Sequence, residues 1–302
     1  MKKSIKKFAA MVLAGVMAVS VLSACGSSST TETTAAEETT AAEAETTAAE
    51  AETTAEGETA AEAETTAEAA EAAEEVVWTI GTNAEFPPFE MPAEADDADS
   101  VDGYTGIDMQ MMKLIAEDNG ATVKVNNMEF DSLLVALTSG QIDAVAAGMT
   151  VTEERKEAVD FSDTYYVAKQ VMIVKEDSEI AKAADMEGKK IAVIQGYTGE
   201  TAVDEMGYEY EAFKKGTEAV LELVNGKCDV VVIDSATANQ YIKNNEGLKI
   251  VEDDEAFTSE EYAIAVNKGN TELLDKINAS IAKLKEAGTI DELSAKFADM
   301  AE

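Results

Sequence analysis

Histidine is absent from all 302 residues. That removes Ser-His-Asp and Cys-His nucleophile systems, and with them every histidine-ligated metal centre. No metal and no cofactor is expected. Cations are scarce too: 23 Lys and Arg stand against 61 Asp and Glu, a formal net charge of −38. A chain this acidic repels nucleic acid and anionic lipid surfaces, so neither is a candidate partner. Beyond the first 24 residues, no apolar run reaches the roughly 20 residues that a membrane-spanning helix needs. Only three prolines occur, Pro87, Pro88 and Pro92, and all lie beyond residue 75.

The N-terminus has its own pattern. Lys2, Lys3, Lys6 and Lys7 precede an apolar stretch from Phe8 to Val21, the charge and length of a signal segment rather than a membrane span. Leu22-Ser23-Ala24-Cys25 closes it and resembles the bacterial lipoprotein lipobox. The resemblance implies cleavage before Cys25, acylation of its sulfur (a palmitate-type modification), and a mature chain held to the outer membrane face by lipid alone. An ordinary secretory signal and an uncleaved anchor are the other readings. With Cys25 committed, the second cysteine, Cys228, has no disulfide partner; it reads as a small core residue before an apolar run.

From Gly26 to Glu75 the chain is almost wholly Ala, Thr, Glu and Ser, with 15 glutamates and no lysine or arginine. Nothing larger than alanine is available to bury, so the segment cannot offset its ordering entropy. It reads as a disordered, self-repelling linker (residues 25–75) with a reach of roughly 40 Å; an acidic docking tail is the alternative. The remaining 225 or so residues suit two lobes of about 100 each.

Strand-like and helix-like segments alternate there, which predicts an α/β layer architecture. Val76–Thr82 reads as a strand, Gly106–Asp118 as an amphipathic helix, 123–128 as a strand, 131–139 as a helix stopped by Gly140, and 144–147 as a strand. A turn then recurs. Leu137-Thr138-Ser139-Gly140-Gln141-Ile142-Asp143 and Leu223-Val224-Asn225-Gly226-Lys227-Cys228-Asp229 each end a helix on glycine and lead through aspartate into an apolar strand. The opening Lys190-Ile191-Ala192-Val193-Ile194 mirrors the first strand. Chance likeness of two turns is one explanation; two lobes of similar build is the economical one.

Ligands of open α/β sheets sit beyond the carboxyl ends of the strands. Four such ends carry polar groups: 83–89, 148–155, 196–199, and Asp234-Ser235. Thr152 is a natural N-cap, which places Arg155 at about the third helical position. A cation there opposes the helix dipole, so an anionic ligand is one explanation; pairing with Glu154 or Glu157 is the other. Asp234 ends four consecutive apolar residues and should meet a cation or several N–H donors, whether an ammonium ligand or a structural partner. Arg155 and Asp234 together describe the two poles of a zwitterion. Phe86 and Phe130 lie near these loops as an apolar wall or as lobe packing, and Tyr165 and Tyr166 lie where the chain would leave the first lobe.

With those segments in view, the chain resembles the solute-binding proteins of the polar amino-acid ABC transporter family (bacterial extracellular solute-binding protein family 3). The likeness rests on Gly81-Thr82-Asn83-Ala84-Glu85-Phe86-Pro87-Pro88-Phe89-Glu90, on Gly103-Tyr104-Thr105-Gly106-Ile107-Asp108, on 148–155 running to Asp160-Phe161-Ser162, and on Gln195-Gly196-Tyr197-Thr198-Gly199. It implies a two-lobed periplasmic-binding-protein-like (type II) fold with a hinge: lobe 1 from 76–168 plus 261–302, lobe 2 from 169–260. It implies a monomer, not an enzyme, that captures an amino acid outside the cytoplasm and delivers it to ABC transporter permease subunits. In that family pattern Arg155 holds the ligand α-carboxylate with Gly148, Thr150 and Thr198, Asp234 takes the α-ammonium, and Phe86 and Phe130 sandwich the side chain. Asn83 stands where relatives binding basic or amide side chains often carry aspartate, which points to a neutral or polar ligand unless Glu85 turns inward. A ligand module for sensing or chemotaxis, and an exported lyase on the same fold, are the rival readings.

Overall fold

The computed structural model describes residues 75–299. The signal segment, Cys25 and nearly all of the Ala/Thr/Glu linker lie outside the described residues. In chain order the elements are β1 (Val76–Thr82), β2 (Met91–Pro92), β3 (Tyr104–Thr105), α1 (Ile107–Asp118), β4 (Ala121–Asn127), α2 (Leu133–Thr138), β5 (Ala144–Val145), α3 (Glu153–Ala158) and β6 (Val159–Phe161). A ten-residue strand, β7 (Tyr166–Lys175), leads on to β8 (Ile191–Ile194), α4 (Thr198–Glu205), β9 (Tyr210–Phe213), α5 (Gly216–Val224), β10 (Val230–Asp234), α6 (Ser235–Asn244) and β11 (Leu248–Val251). The chain closes with β12 (Ser259–Tyr262), β13 (Ala265–Asn267), α7 (Thr271–Glu286) and α8 (Thr289–Asp299).

Two mixed sheets make two lobes, and they are built alike. One runs β4-β1-β5-β13-β6 and the other β9-β8-β10-β7-β11. In both, the first three strands are parallel and the last two antiparallel to their neighbours. The recurring turn has the same job in each. Gly140 and Gly226 adopt φ of 73° and 71°, the left-handed conformation that ends a helix without a Cβ penalty. Each following aspartate then clamps the neighbouring strand. Asp143 accepts from the Thr79 N–H at 2.7 Å and returns its own N–H to the Thr79 carbonyl. Asp229 does the same with Lys190, accepting at 2.9 Å. Identical hydrogen bonding at matching places argues against chance likeness.

The strand after the second clamp, Val230–Asp234, is buried at every position, as a central strand covered on both faces must be. Cys228 packs at its start, 8% exposed, its thiol pushed up to about 11 by burial. This is an inert core cysteine, as its sequence context suggests. Boundaries differ from expectation in the first lobe. The helix expected from residue 131 begins as a 3-10 turn over Phe130–Ser132 and becomes α-helical at Leu133. The strand expected over 144–147 is shorter, because Gly148 turns the backbone to φ 52° and sends its N–H to a carboxylate.

Between the lobes run two extended segments. The first four residues of β7, Tyr166–Lys169, pair antiparallel with β12, while Gln170–Lys175 belong to the second sheet. One strand therefore carries the hinge and continues as sheet core. Among the described residues, no helix is long and apolar enough to cross a membrane.

The entry to α1 fixes the loop that carries Phe86. No side chain caps this helix; instead the first two N–H groups, of Ile107 and Asp108, donate to the carbonyls of Pro88 and Phe89. That docking requires Gly106, whose φ is 125° and whose Cβ would fall 2.2 Å from the Phe89 carbonyl oxygen. Backbone cannot retreat there. Gly106→Ala is expected to destabilise the protein by about 3 kcal/mol or more, read as a lowered urea midpoint. An unchanged midpoint would show that the loop and helix are not coupled.

Candidate functional site

The ends of β1, β5, β8 and β10 meet between the lobes. Seven residues singled out from sequence, Phe86, Phe130, Gly148, Thr150, Arg155, Thr198 and Asp234, line one small cavity together with Ala147 and Tyr197. Its volume is about 10 Å³, room for about one water. It adjoins a larger groove of about 760 Å³ that shares Phe130, Arg155 and Thr198 and adds Gln170 and Glu260.

Arg155 occupies the third position of α3, with the Thr152 hydroxyl accepting its backbone N–H as an N-cap at 3.2 Å. The guanidinium turns away from Glu154 and Glu157. It donates to the Thr150 carbonyl at 2.7 Å and, across the cleft, to the Gly196 carbonyl at 2.9 Å. It also lies over the Phe130 ring, 5.3 Å from the centroid. Two of its five N–H groups are thus used for positioning. Burial pulls its pKa down, while the charges of Glu260, Asp234 and Glu154 oppose that pull, and the group stays cationic.

Asp234 ends β10, 3% exposed. No cation meets it: the Tyr262 hydroxyl donates to Oδ1 at 2.5 Å, and the Gln170 amide and its own backbone N–H also favour the ionised form. A neutral donor compensates a buried carboxylate incompletely. Burial first, then the nearby Glu260 charge, pushes Asp234 up to about 7. Glu260 itself was missed by sequence reasoning. Its Oε2 accepts from the Thr150 hydroxyl at 2.9 Å and the Thr198 hydroxyl at 2.7 Å, one from each lobe, and from the Gln170 amide at 3.3 Å. Its carboxylate therefore holds the two hydroxyls that sequence analysis reserved for an anionic ligand. The available signal was alternation in β12: Glu260 and Tyr262, two apart, face the same side.

Gly148 is less accessible than expected through its N–H, which donates to Asp108 Oδ2 at 2.8 Å, so any ligand contact falls to its carbonyl. A Cβ here would meet the Phe86 ring at 2.4 Å. Beneath this turn sits a buried carboxyl pair. Asp108 also accepts from the Tyr165 hydroxyl at 2.7 Å and is pushed up to about 6 by burial. Both Glu90 oxygens lack another partner, and Glu90 is raised well above the usual carboxylate range by burial, Asp108 and Asp234. A protonated Glu90 facing Asp108 accounts for all of this.

Phe86 and Phe130 are 2% and 8% exposed and both touch Tyr197 of the second lobe. Asn83 donates to the Met128 carbonyl at 3.0 Å and accepts from the Tyr197 hydroxyl at 3.2 Å. Glu85 does not turn inward alone: Lys215 of the second lobe pairs with it at 2.7 Å, and Tyr241 donates to its carbonyl. Tyr165 immediately precedes the ten-residue strand that Tyr166 begins. Among the described residues, no cluster of acidic or cysteine side chains could hold a metal.

Known proteins match this chain over the whole described region. The model of the bacterial extracellular solute-binding proteins, family 3, matches residues 78–300. A probable histidine-binding protein of Neisseria gonorrhoeae is 33% identical over 228 residues, covering 73% of this chain and 82% of that one. An arginine-binding extracellular protein of Bacillus subtilis is 32% identical over 222 residues, covering 72% and 84%. The solved arginine-, lysine-, histidine-binding protein of Geobacillus stearothermophilus superposes with a TM-score of 0.68 at 33% identity, covering 74% of this chain and 95% of that one.

Proposed function

Because the chain belongs to the bacterial extracellular solute-binding proteins, family 3, binding proteins rather than enzymes, we propose that its cleft captures a free amino acid with a neutral or polar side chain for delivery to an ABC transporter permease. The observation that carries this is the meeting of Arg155 and Asp234 on one small cavity between two lobes. The guanidinium takes the α-carboxylate, helped by Thr150 and Thr198 once Glu260 releases their hydroxyls. Asp234 and the Gly148 carbonyl take the α-ammonium. Phe86 and Phe130 wall the side chain, and Asn83 faces its far end through Tyr197.

Neither lobe alone offers both charges. Closure about β7 and β12 brings them to opposite ends of the ligand and excludes water, which strengthens both contacts. A ligand favours the closed form only through such differential contacts. Lobe 1 comprises 76–168 and 261–302, lobe 2 comprises 169–260, and the monomer is tethered by acylated Cys25 through the 25–75 linker. The relatives' names support an amino acid as ligand: histidine, arginine, and the arginine–lysine–histidine set. The neutral preference rests instead on Asn83 and on Glu85 being neutralised by Lys215.

A thermal-shift screen of the mature chain against the twenty amino acids and cystine tests this. A ligand at a hundred times its Kd stabilises by about 2.7 kcal/mol, or roughly 5–10 °C for a domain of this size. No shift with any of them would remove the reading.

A further inference from the structure

Glu260 stands on the hinge itself. Strand β12 pairs with the first four residues of β7, and Glu260 lies opposite Ala168 in that ladder. From there one oxygen, Oε2, accepts the Thr150 hydroxyl of the first lobe at 2.9 Å and the Thr198 hydroxyl of the second at 2.7 Å. The Gln170 amide reaches the same oxygen at 3.3 Å and donates to the Thr198 hydroxyl at 3.0 Å. A single carboxylate thus ties hinge, first lobe and second lobe together.

Each hydroxyl has one proton, and both protons are given to Glu260. Neither can then be given to a second carboxylate. Two carboxylates on these donors would also repel each other, beside an Arg155 on which Glu260 is the strongest of the acting charges. Receiving an anion here therefore means moving Glu260. The surroundings allow it. Glu260 is half-buried, unlike Asp234 at 3% exposure, and it lines the groove of about 760 Å³. Swinging the carboxylate into that groove keeps it hydrated, and it breaks the bridge between the lobes.

We infer that Glu260 is an internal competitor for the ligand carboxylate, a latch that holds Thr150 and Thr198 together across the cleft until an amino acid displaces it. This rests on the amino-acid reading of the cleft and deepens it: the ligand must bring a free α-carboxylate, and its affinity is lowered by the bias that the latch gives to the shut form. Glu260 acts through the two hydroxyls and is a positioning residue.

Calorimetry on the mature chain and on Glu260→Ala tests this, with the twenty amino acids and with the α-carboxamide of each one that binds. Glu260→Ala is expected to bind the amino acid at least about tenfold more tightly, as removal of a tenfold bias would give. The α-carboxamide has no carboxylate to compete and should not gain. Hydrogen exchange reads the latch with no amino acid added. Peptides over 148–155 and 196–201 should exchange at least about tenfold faster in the variant, while those of α1 and α7 keep their rates. Equal or weaker amino-acid binding by a folded Glu260→Ala overturns the inference and leaves amino-acid capture standing. So does an equal gain for acid and carboxamide, unchanged exchange in the cleft peptides, or faster exchange everywhere. Should Glu260→Ala fail to fold, Glu260→Gln keeps the shape, removes the charge and carries the same expected directions. If neither protein binds any of the twenty, the amino-acid reading falls and this inference with it.

Discussion

Arg155→Ala is expected to weaken amino-acid binding at least about 100-fold, the 2–5 kcal/mol typical of truncating one partner of a buried, hydrogen-bonded charge pair. Most of that loss comes from leaving the ligand carboxylate dehydrated with nothing opposite it. The remaining donors, the Thr150 and Thr198 hydroxyls, are neutral and are shared with Glu260, so the variant has no cation to offer. Arg155→Lys should also lose more than tenfold. One ammonium cannot reach the Thr150 and Gly196 carbonyls, cover the Phe130 ring and present a fork to a carboxylate together. The fold should survive. Two hydrogen bonds to carbonyls are removed, worth about 1–3 kcal/mol together, and circular dichroism should keep its native shape while Tm falls by a few degrees. Calorimetry on both variants decides it. Affinity within threefold of the wild type in Arg155→Ala would sink the carboxylate role.

Local patterns and non-local partners differed in how far they could be read. The first strand was legible to the residue, since Val76–Thr82 has a steady apolar face and ends at a loop of turn formers. The paired turns were legible because glycine and aspartate each do something that few other residues can, and both lobes repeat it. Arg155 stood out by sitting at the wrong end of a helix dipole, and Asp234 by closing a run of Val and Ile. Each is an anomaly that a window of ten residues exposes.

Glu260, Tyr197 and Glu90 are anomalies only in three dimensions. Ser259-Glu260-Glu261 reads as solvated, and nothing nearby says that Glu260 meets hydroxyls 110 and 62 residues away. Glu90 reads as a polar residue after Phe89, yet it is wholly buried against Asp108. Tyr197 lies in a glycine-rich turn, and only the approach of the lobes makes it a neighbour of Phe86. The identity of the Asp234 donors was out of reach for the same reason. A buried carboxylate announces a need for donors, and Tyr262 supplies one from a strand 28 residues on.

The incomplete compensation of Asp234 makes ligand affinity depend on pH. Its pKa of about 7 arises from burial and from Glu260, with Tyr262 and Gln170 pulling the other way. A ligand ammonium beside it favours the ionised form, so the pKa falls on binding. Below pH 7 the free protein carries a proton there that the complex does not, and each binding event releases it. Kd should therefore rise with acidity, approaching tenfold per pH unit below about 7, and be roughly 100-fold weaker at pH 5 than at pH 8. Stability of the free protein should move the opposite way. Asp234 at about 7, Asp108 at about 6, and Glu90 are all raised above ordinary carboxylate values. Raised groups hold protons in the folded state, so their contribution is full below about pH 4 and is lost as pH climbs through 6 to 7. The two trends are separable by measurement. Calorimetry at pH 5 to 8, in buffers of different ionisation enthalpy, should register close to one proton released on the acid side. Asp234→Asn should abolish that release and bind weakly at every pH. A flat affinity profile in the wild-type chain would mean that no ammonium is received at Asp234.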